Sequence, residues 1–182
     1  MKFSVPGLLC LMVLCLPAMQ KASAQGYHQL TTADFEGVPA SNDRGVIAYT
    51  NCSIDFRYNA VPRKGYYLLN FTIRVILNKD RSWLDKSRVT SPEMMAEILK
   101  HEQGHYAIAY LEQQELLRAV GKTVFRGNYQ IQAMAIFNAI DAKYKQLNLD
   151  YDNDTQHMVN RVQQTSWDMF FQKKLDNQPV ED

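Results

Sequence analysis

The clearest pattern in the chain lies between Tyr67 and Leu77. There Tyr67, Leu69, Phe71, Ile73, Val75 and Leu77 alternate with Leu68, Asn70, Thr72 and Arg74. A period of two puts one apolar row on one face, so the segment predicts a strand lying on a core. Shorter β-type runs precede it at Val46–Thr50 and Ile54–Tyr58, with a turn read at Val61–Gly65. Asp34–Pro39 and Ser41–Gly45 read as loops, and Asp80–Leu84 closes the sheet. Turns between neighbouring runs imply antiparallel pairing.

Beyond Thr90 the apolar spacing changes to three and four. Thr90-Ser91-Pro92-Glu93 is a helix start, with Thr90 or Ser91 as N-cap, proline in the first turn and an acid near the positive end of the dipole. Met94, Met95, Ile98, Leu99, Ile108, Leu111 and Leu116 keep helical spacing until Gly121, a plausible stop. A second helix is predicted from Tyr129 to Leu147, its stripe of Ile131, Met134, Phe137, Ile140, Tyr144 and Leu147 assigned to the core. Asp150–Thr155 reads as a polar turn, with Asp154 or Thr155 capping a third helix to about Leu175. That helix takes Val159, Val162, Trp167, Met169 and Phe170 as its apolar positions. Strands followed by helices predict an α+β domain, with a mostly antiparallel sheet beside the first helix and two more helices after it.

Residues 1–24 read as a secretion signal rather than as structure. Lys2 gives a positive start, Val5–Leu16 is apolar but too short to span a bilayer, and Ala22-Ser23-Ala24 is a small-x-small cleavage site. Cys15 lacks a small residue before it, which argues against a lipid anchor there. The mature chain, 25–182, is then a single domain without repeat or linker, and it contains no later apolar stretch long enough to cross a membrane. Secretion into a periplasm or exterior follows. It keeps one cysteine, Cys52, so no internal disulfide can form, and a buried small hydrophobe is its expected role.

Charge excludes one class of partner. Removal of Lys2 and Lys21 from the 20 basic residues leaves 18 against 19 acidic ones, with no basic footprint for nucleic acid.

The candidate chemistry sits inside the first helix, at His101-Glu102-Gln103-Gly104-His105. Residues four apart share a helix face, so His101 and His105 can aim two imidazoles at one ion. Glu102 lies about 100° around the helix, where it can reach a water without ligating the ion, as a general base must. The same five residues could form a surface helix with two solvated histidines. Against that, Met94, Ile98, His101, His105 and Ile108 make one otherwise apolar stripe. Gly104 costs about 1 kcal/mol relative to alanine in a helix, and it permits close approach of a neighbour. A catalytic Zn²⁺ takes three protein ligands and a water, whose pKa it lowers toward about 7. His157 is the candidate third ligand, with Asp152 and then Asp154 as substitutes; His28 lies too near the mature N-terminus. Tyr151 is a candidate stabiliser of the oxyanion formed in hydrolysis, with a core-packing aromatic as its competing role.

These residues also carry a resemblance. Asp34-Phe35 with Gly37-x-Pro39, Ser82-Trp83, Leu99 with His101-Glu102-Gln103-Gly104-His105, and Tyr151-Asp152-x-x-Thr155-x-His157 followed by Gln163 or Gln164 and Trp167 resemble a bacterial family of predicted secreted zinc-dependent proteases. The resemblance covers nearly the whole mature chain and implies a zincin-like domain with His157 as third ligand. It departs at Met158, where the family usually has glycine, and after the motif, where Tyr106-Ala107-Ile108-Ala109-Tyr110 replaces Phe-Asp-Ile and an acid. The expectation is a secreted Zn²⁺-dependent hydrolase of peptide or protein substrates. Its rivals are a zinc amidase on cell-wall or small-molecule amides, and a non-catalytic module with a structural or vestigial metal.

Overall fold

The computed structural model describes residues 26–39 and 45–176. The signal read at 1–24, most of the Ser41–Gly45 loop and the tail beyond Asp176 lie outside the described residues. Strands β1 (Ala48–Tyr49), β2 (Cys52–Arg63), β3 (Tyr66–Leu77) and β4 (Trp83–Leu84) precede helices α1 (Pro92–Gly121), α2 (Tyr129–Thr155) and α3 (Arg161–Asp176). The fold is α+β, with strands first and helices after. Among the described residues no helix is long and apolar enough to cross a membrane.

The alternating run became β3. Leu69, Phe71, Ile73 and Val75 are buried in turn while Asn70, Thr72 and Arg74 face out. Its partner differs from expectation. β2 is one unbroken strand from Cys52 to Arg63, paired antiparallel with β3 in the register Cys52↔Leu77 to Arg63↔Tyr66. The turn read at Val61–Gly65 shrinks to Lys64-Gly65, with Gly65 at φ +84°. A two-residue hairpin turn needs such positive φ, and glycine supplies it without steric cost. A separate two-residue ladder joins β1 to β4, Ala48↔Leu84 and Tyr49↔Trp83.

Helix α1 lies across the hairpin. Ser91 caps it by accepting from the Met94 amide, and it ends at Gly121, as read. Leu69, Phe71 and Ile73 pack with Ala107, Ile108, Leu111 and Leu116 in the larger core. Gln113 reinforces the join by donating from Nε2 to the Ile73 carbonyl at 2.9 Å. A second core gathers Leu30, Phe35, Ala48, Val75, Leu84 and Ile98 on the other side of the helix. The N-terminal segment is tied to that side through Gln103. Its Oε1 accepts from the Leu30 amide at 2.7 Å, and its Nε2 donates to the His28 carbonyl at 3.0 Å.

The later helices differ from the reading in extent and in face. α2 continues through the supposed turn at Asp150–Thr155, because Tyr151 and Thr155, one turn apart, are both fully buried. Thr155 Oγ1 donates to the Tyr151 carbonyl at 2.6 Å. α3 therefore begins later, at Arg161, with Asn160 Oδ1 accepting from the Gln163 amide. The α2 stripe is core only in its second half: Ile140 and Tyr144 are buried, while Ile131 and Met134 are exposed. On α3 the buried positions are Gln164 and Phe171, and Val162 and Met169 face solvent, as does Val159 before it.

Candidate metal centre

His101 and His105 lie one turn apart on α1, above the point where the end of α2 crosses it. His101 is 4% exposed, so both of its ring nitrogens need partners inside the protein. Its Nδ1 faces Gln164 Oε1 at 3.2 Å. The orientation of that amide is fixed from behind: Gln164 Nε2 donates to Asp168 Oδ1 at 3.0 Å, and Asp168 pairs with Lys100 at 2.6 Å. A carboxylate only accepts, so the amide oxygen must face His101 and accept its Nδ1–H. His105 follows the same plan, with Nδ1 2.8 Å from Asn148 Oδ1 on α2. In the neutral form both imidazoles then present the Nε2 lone pair to the site.

The two Nε2 atoms are 3.3 Å apart. Asp152 Oδ1 stands 3.3 Å from His101 Nε2 and 3.1 Å from His105 Nε2. Among the described residues no hydrogen bond reaches Asp152 Oδ1, although the atom is buried and the rings are this close. The three atoms are spaced as corners around a common point. Ligands about 2.0–2.1 Å from a tetrahedral ion lie about 3.3–3.4 Å from one another, which matches this triangle. Two imidazoles and a carboxylate also form a donor set that suits Zn²⁺.

His157 completes the group but does not form the tight triangle. Its Nδ1 is 3.3 Å from Asp152 Oδ1, and ligand atoms of His101, Asp152 and His157 lie within 4.8 Å of one another. Of the substitutes read in the sequence, Asp152 takes the third corner, while Asp154 is occupied elsewhere, accepting from Trp167 Nε1 at 3.0 Å. His28 contacts Asp34 instead, at 3.2 Å.

His157 is not in the first turn of a helix, as read, but just beyond the end of α2. Gln156, His157 and Met158 all have positive φ, at 49°, 49° and 75°. Three successive left-handed non-glycine residues are costly, about 1–3 kcal/mol each, and turn the chain sharply enough to bring His157 back over Asp152. Met158 occupies a position whose backbone suits glycine.

Tyr151 has a different place from the one expected of an oxyanion stabiliser. It is fully buried, and its ring stacks on His101 with centroids 4.8 Å apart. The hydroxyl points under α1, donating to the His101 carbonyl at 2.9 Å and accepting from Gln164 Nε2 at 2.8 Å. With its hydroxyl committed there, Tyr151 positions His101. Gly104 makes this contact possible: a Cβ there would overlap Tyr151 Oη and Cζ and lie 2.7 Å from Cε1.

Glu102 is 3% exposed, and its Oε2 has no hydrogen-bond partner among the described residues. It lines a cavity of about 260 Å³ together with His101, His105, Asp152 and His157. Burial opposes charge on His105, but Asp152 and the Glu102 carboxylate outweigh it and raise its pKa to about 9. Burial likewise opposes ionisation of Asp152, and contact with His101 and His105 overcomes it, holding the carboxyl well below its ordinary range. Cys52 is half-buried, and burial with the nearby Glu102 charge pushes its thiol up to about 12, which keeps it protonated.

The model of the family described as "Bacterial protein of unknown function (DUF922)" matches residues 22–158. The chain belongs to this family. No curated protein and no solved structure matches the chain. The DUF922 match takes in His101, Glu102, His105, Asp152 and His157, and stops short of Gln164. Gln164 and Asn148, which hold the two Nδ1 atoms, are the site residues that sequence reasoning did not assign. Asn148 and Asp152 are four apart, a spacing that becomes informative only once α2 runs through both.

Proposed function

We propose that this DUF922 chain is a zinc-dependent hydrolase, in the first place a peptidase, with His101, His105 and Asp152 holding the ion and His157 beside them. The observation that carries the proposal is the triangle of Nε2, Nε2 and Oδ1 atoms at 3.1–3.3 Å, with both Nδ1 atoms already engaged. A bound Zn²⁺ supplies a Lewis acid that polarises a carbonyl and acidifies water. Glu102 accepts a proton from the attacking water on its unpartnered oxygen and returns it to the leaving amine. Its burial beside the histidines keeps that carboxylate out of bulk water and next to the reacting atoms. Gln164, Asn148 and Tyr151 hold the imidazoles in the orientation the ion needs. The resemblance to predicted secreted proteases points to peptide or protein substrates and to an extracytoplasmic location.

A second reading rests on His157. Four donors around one ion would close the site, as in structural zinc centres, and leave a binding module without a reaction. Zinc content and hydrolysis of a mixed peptide pool by Glu102→Gln decide between them. The peptidase reading requires the variant to keep one zinc per chain and lose at least 100-fold in rate. Unchanged turnover in Glu102→Gln, or no cleavage by the zinc-loaded parent, overturns it.

A further inference from the structure

We propose that Glu112 on α1 forms a recognition site for a cationic group of the substrate, an amine or guanidinium, in the larger cavity beside the metal cluster. The proposal rests on the peptidase reading only in taking the ligand to be a peptide. The cavity measures about 460 Å³ and shares His105 and Asp152 with the smaller one that contains Glu102. The two spaces therefore meet across the metal ligands. Glu112 follows His105 by seven residues, two helical turns, so it lies on the same face about 10 Å along the axis. An extended peptide covers that distance in about three residues.

The state of the carboxyl is the second observation. Glu112 is 8% exposed and lines the cavity, yet its Oε1 has no hydrogen-bond partner among the described residues. One turn away, Glu115 Oε2 accepts from Lys143 at 2.5 Å and from Tyr144 at 3.0 Å. The fold thus pairs the neighbouring acid, while among the described residues no cation forms an ion pair with Glu112. Lys145 also lines the cavity and offsets part of the Glu112 charge from a distance, but its ammonium pairs with Asp141 at 2.8 Å. Burial and the Asp141 charge raise the Glu112 carboxyl to about 7, with Lys145 opposing. A buried carboxylate without a partner is costly, and an entering ammonium or guanidinium supplies the donors it lacks. Ile54, Ile108 and Tyr144 also line the cavity, giving apolar surface for the methylene stem of a lysine or arginine.

The test separates this site from hydrolysis. Zinc-loaded Glu102→Gln protein is titrated with a fluorescent peptide pool containing one lysine per peptide and with the same pool carrying acetyl-lysine. Fluorescence anisotropy reads the affinity. The lysine pool should bind at least tenfold tighter. Glu112→Gln added to this background should remove most of the difference while zinc content and circular dichroism stay unchanged. Equal affinity for the two pools, absence of binding by either, or a preference untouched by Glu112→Gln overturns the proposal. A lysine preference in a protein that cleaves no peptide upholds the cationic site and removes the peptidase reading. Cleavage without such a preference does the reverse.

Discussion

Replacing Gly104 by alanine is favoured by helix propensity by about 1 kcal/mol. The packing of α1 on Tyr151 predicts the opposite sign. The new Cβ would lie 2.7 Å from Tyr151 Cε1 and closer still to Cζ and Oη. Ordinary carbon contacts are about 3.5–4.0 Å, so the ring must retreat by about 1 Å. It has nowhere to go, because Trp167 and Phe171 meet it at centroid distances of 5.3 and 5.4 Å. Retreat also breaks the hydroxyl's bonds to the His101 carbonyl and Gln164, each worth about 1 kcal/mol net. Overpacking adds about 1–3 kcal/mol. After the propensity gain, Gly104→Ala should destabilise by about 2–4 kcal/mol. Urea unfolding in EDTA, read by circular dichroism, measures this without a contribution from bound metal. In a Tyr151→Ala background the same substitution should stabilise by about 1 kcal/mol, because the obstacle is gone. A Gly104→Ala protein as stable as its parent would refute the close packing of Tyr151 on α1, and with it the positioning of His101.

Other consequences concern the donors and their protons. Gln164→Ala removes the acceptor of His101 Nδ1–H and should weaken zinc binding about 10–100-fold, read by competition with a chelating dye. Asp152→Ala should lower zinc affinity more than His157→Ala, and the reverse order in the same assay would assign the third corner to His157. In the metal-free protein burial disfavours charge on His105, yet Asp152 and Glu102 raise its pKa to about 9. The charged ring therefore stabilises the metal-free fold fully below its unfolded pKa of about 6.5, and this contribution is lost as pH rises through about 9. Zinc must displace that proton, so its affinity should rise about tenfold per pH unit between about pH 7 and 9 and then level off. Calorimetry in buffers of different ionisation enthalpy reads the released proton, and a flat pH profile would contradict the Asp152–His105 pairing.

The helix that carries the site was legible because its signals are local: a serine cap before proline, apolar steps of three and four, and His101 and His105 one turn apart. The strand at Tyr66–Leu77 was equally legible, since alternation of apolar residues is a property of one segment. Its partner was not, because Pro62 in β2 reads as a breaker until pairing with Tyr67 shows it near the hairpin's end. The end of α2 was obscured for a related reason. Asp150-Tyr151-Asp152-Asn153-Asp154 has the composition of a turn, and the burial of Thr155 and of Tyr151, packed on His101, Trp167 and Phe171, favours the helix instead. That continuation places Asn148 and Asp152 on one face, which decides which acid meets the histidines. The left-handed run at Gln156–Met158 has no local signal either, since none of its residues is glycine.

The convergence of His101, His105 and Asp152 on one ion is tested most directly by anomalous diffraction at the zinc absorption edge, from crystals of the protein grown with one equivalent of zinc. The account predicts a single strong peak about 2.0–2.2 Å from Nε2 of His101, Nε2 of His105 and Oδ1 of Asp152, with Glu102 near it and not bonded to it. A peak bound elsewhere on the chain, or none at these three atoms, would contradict it.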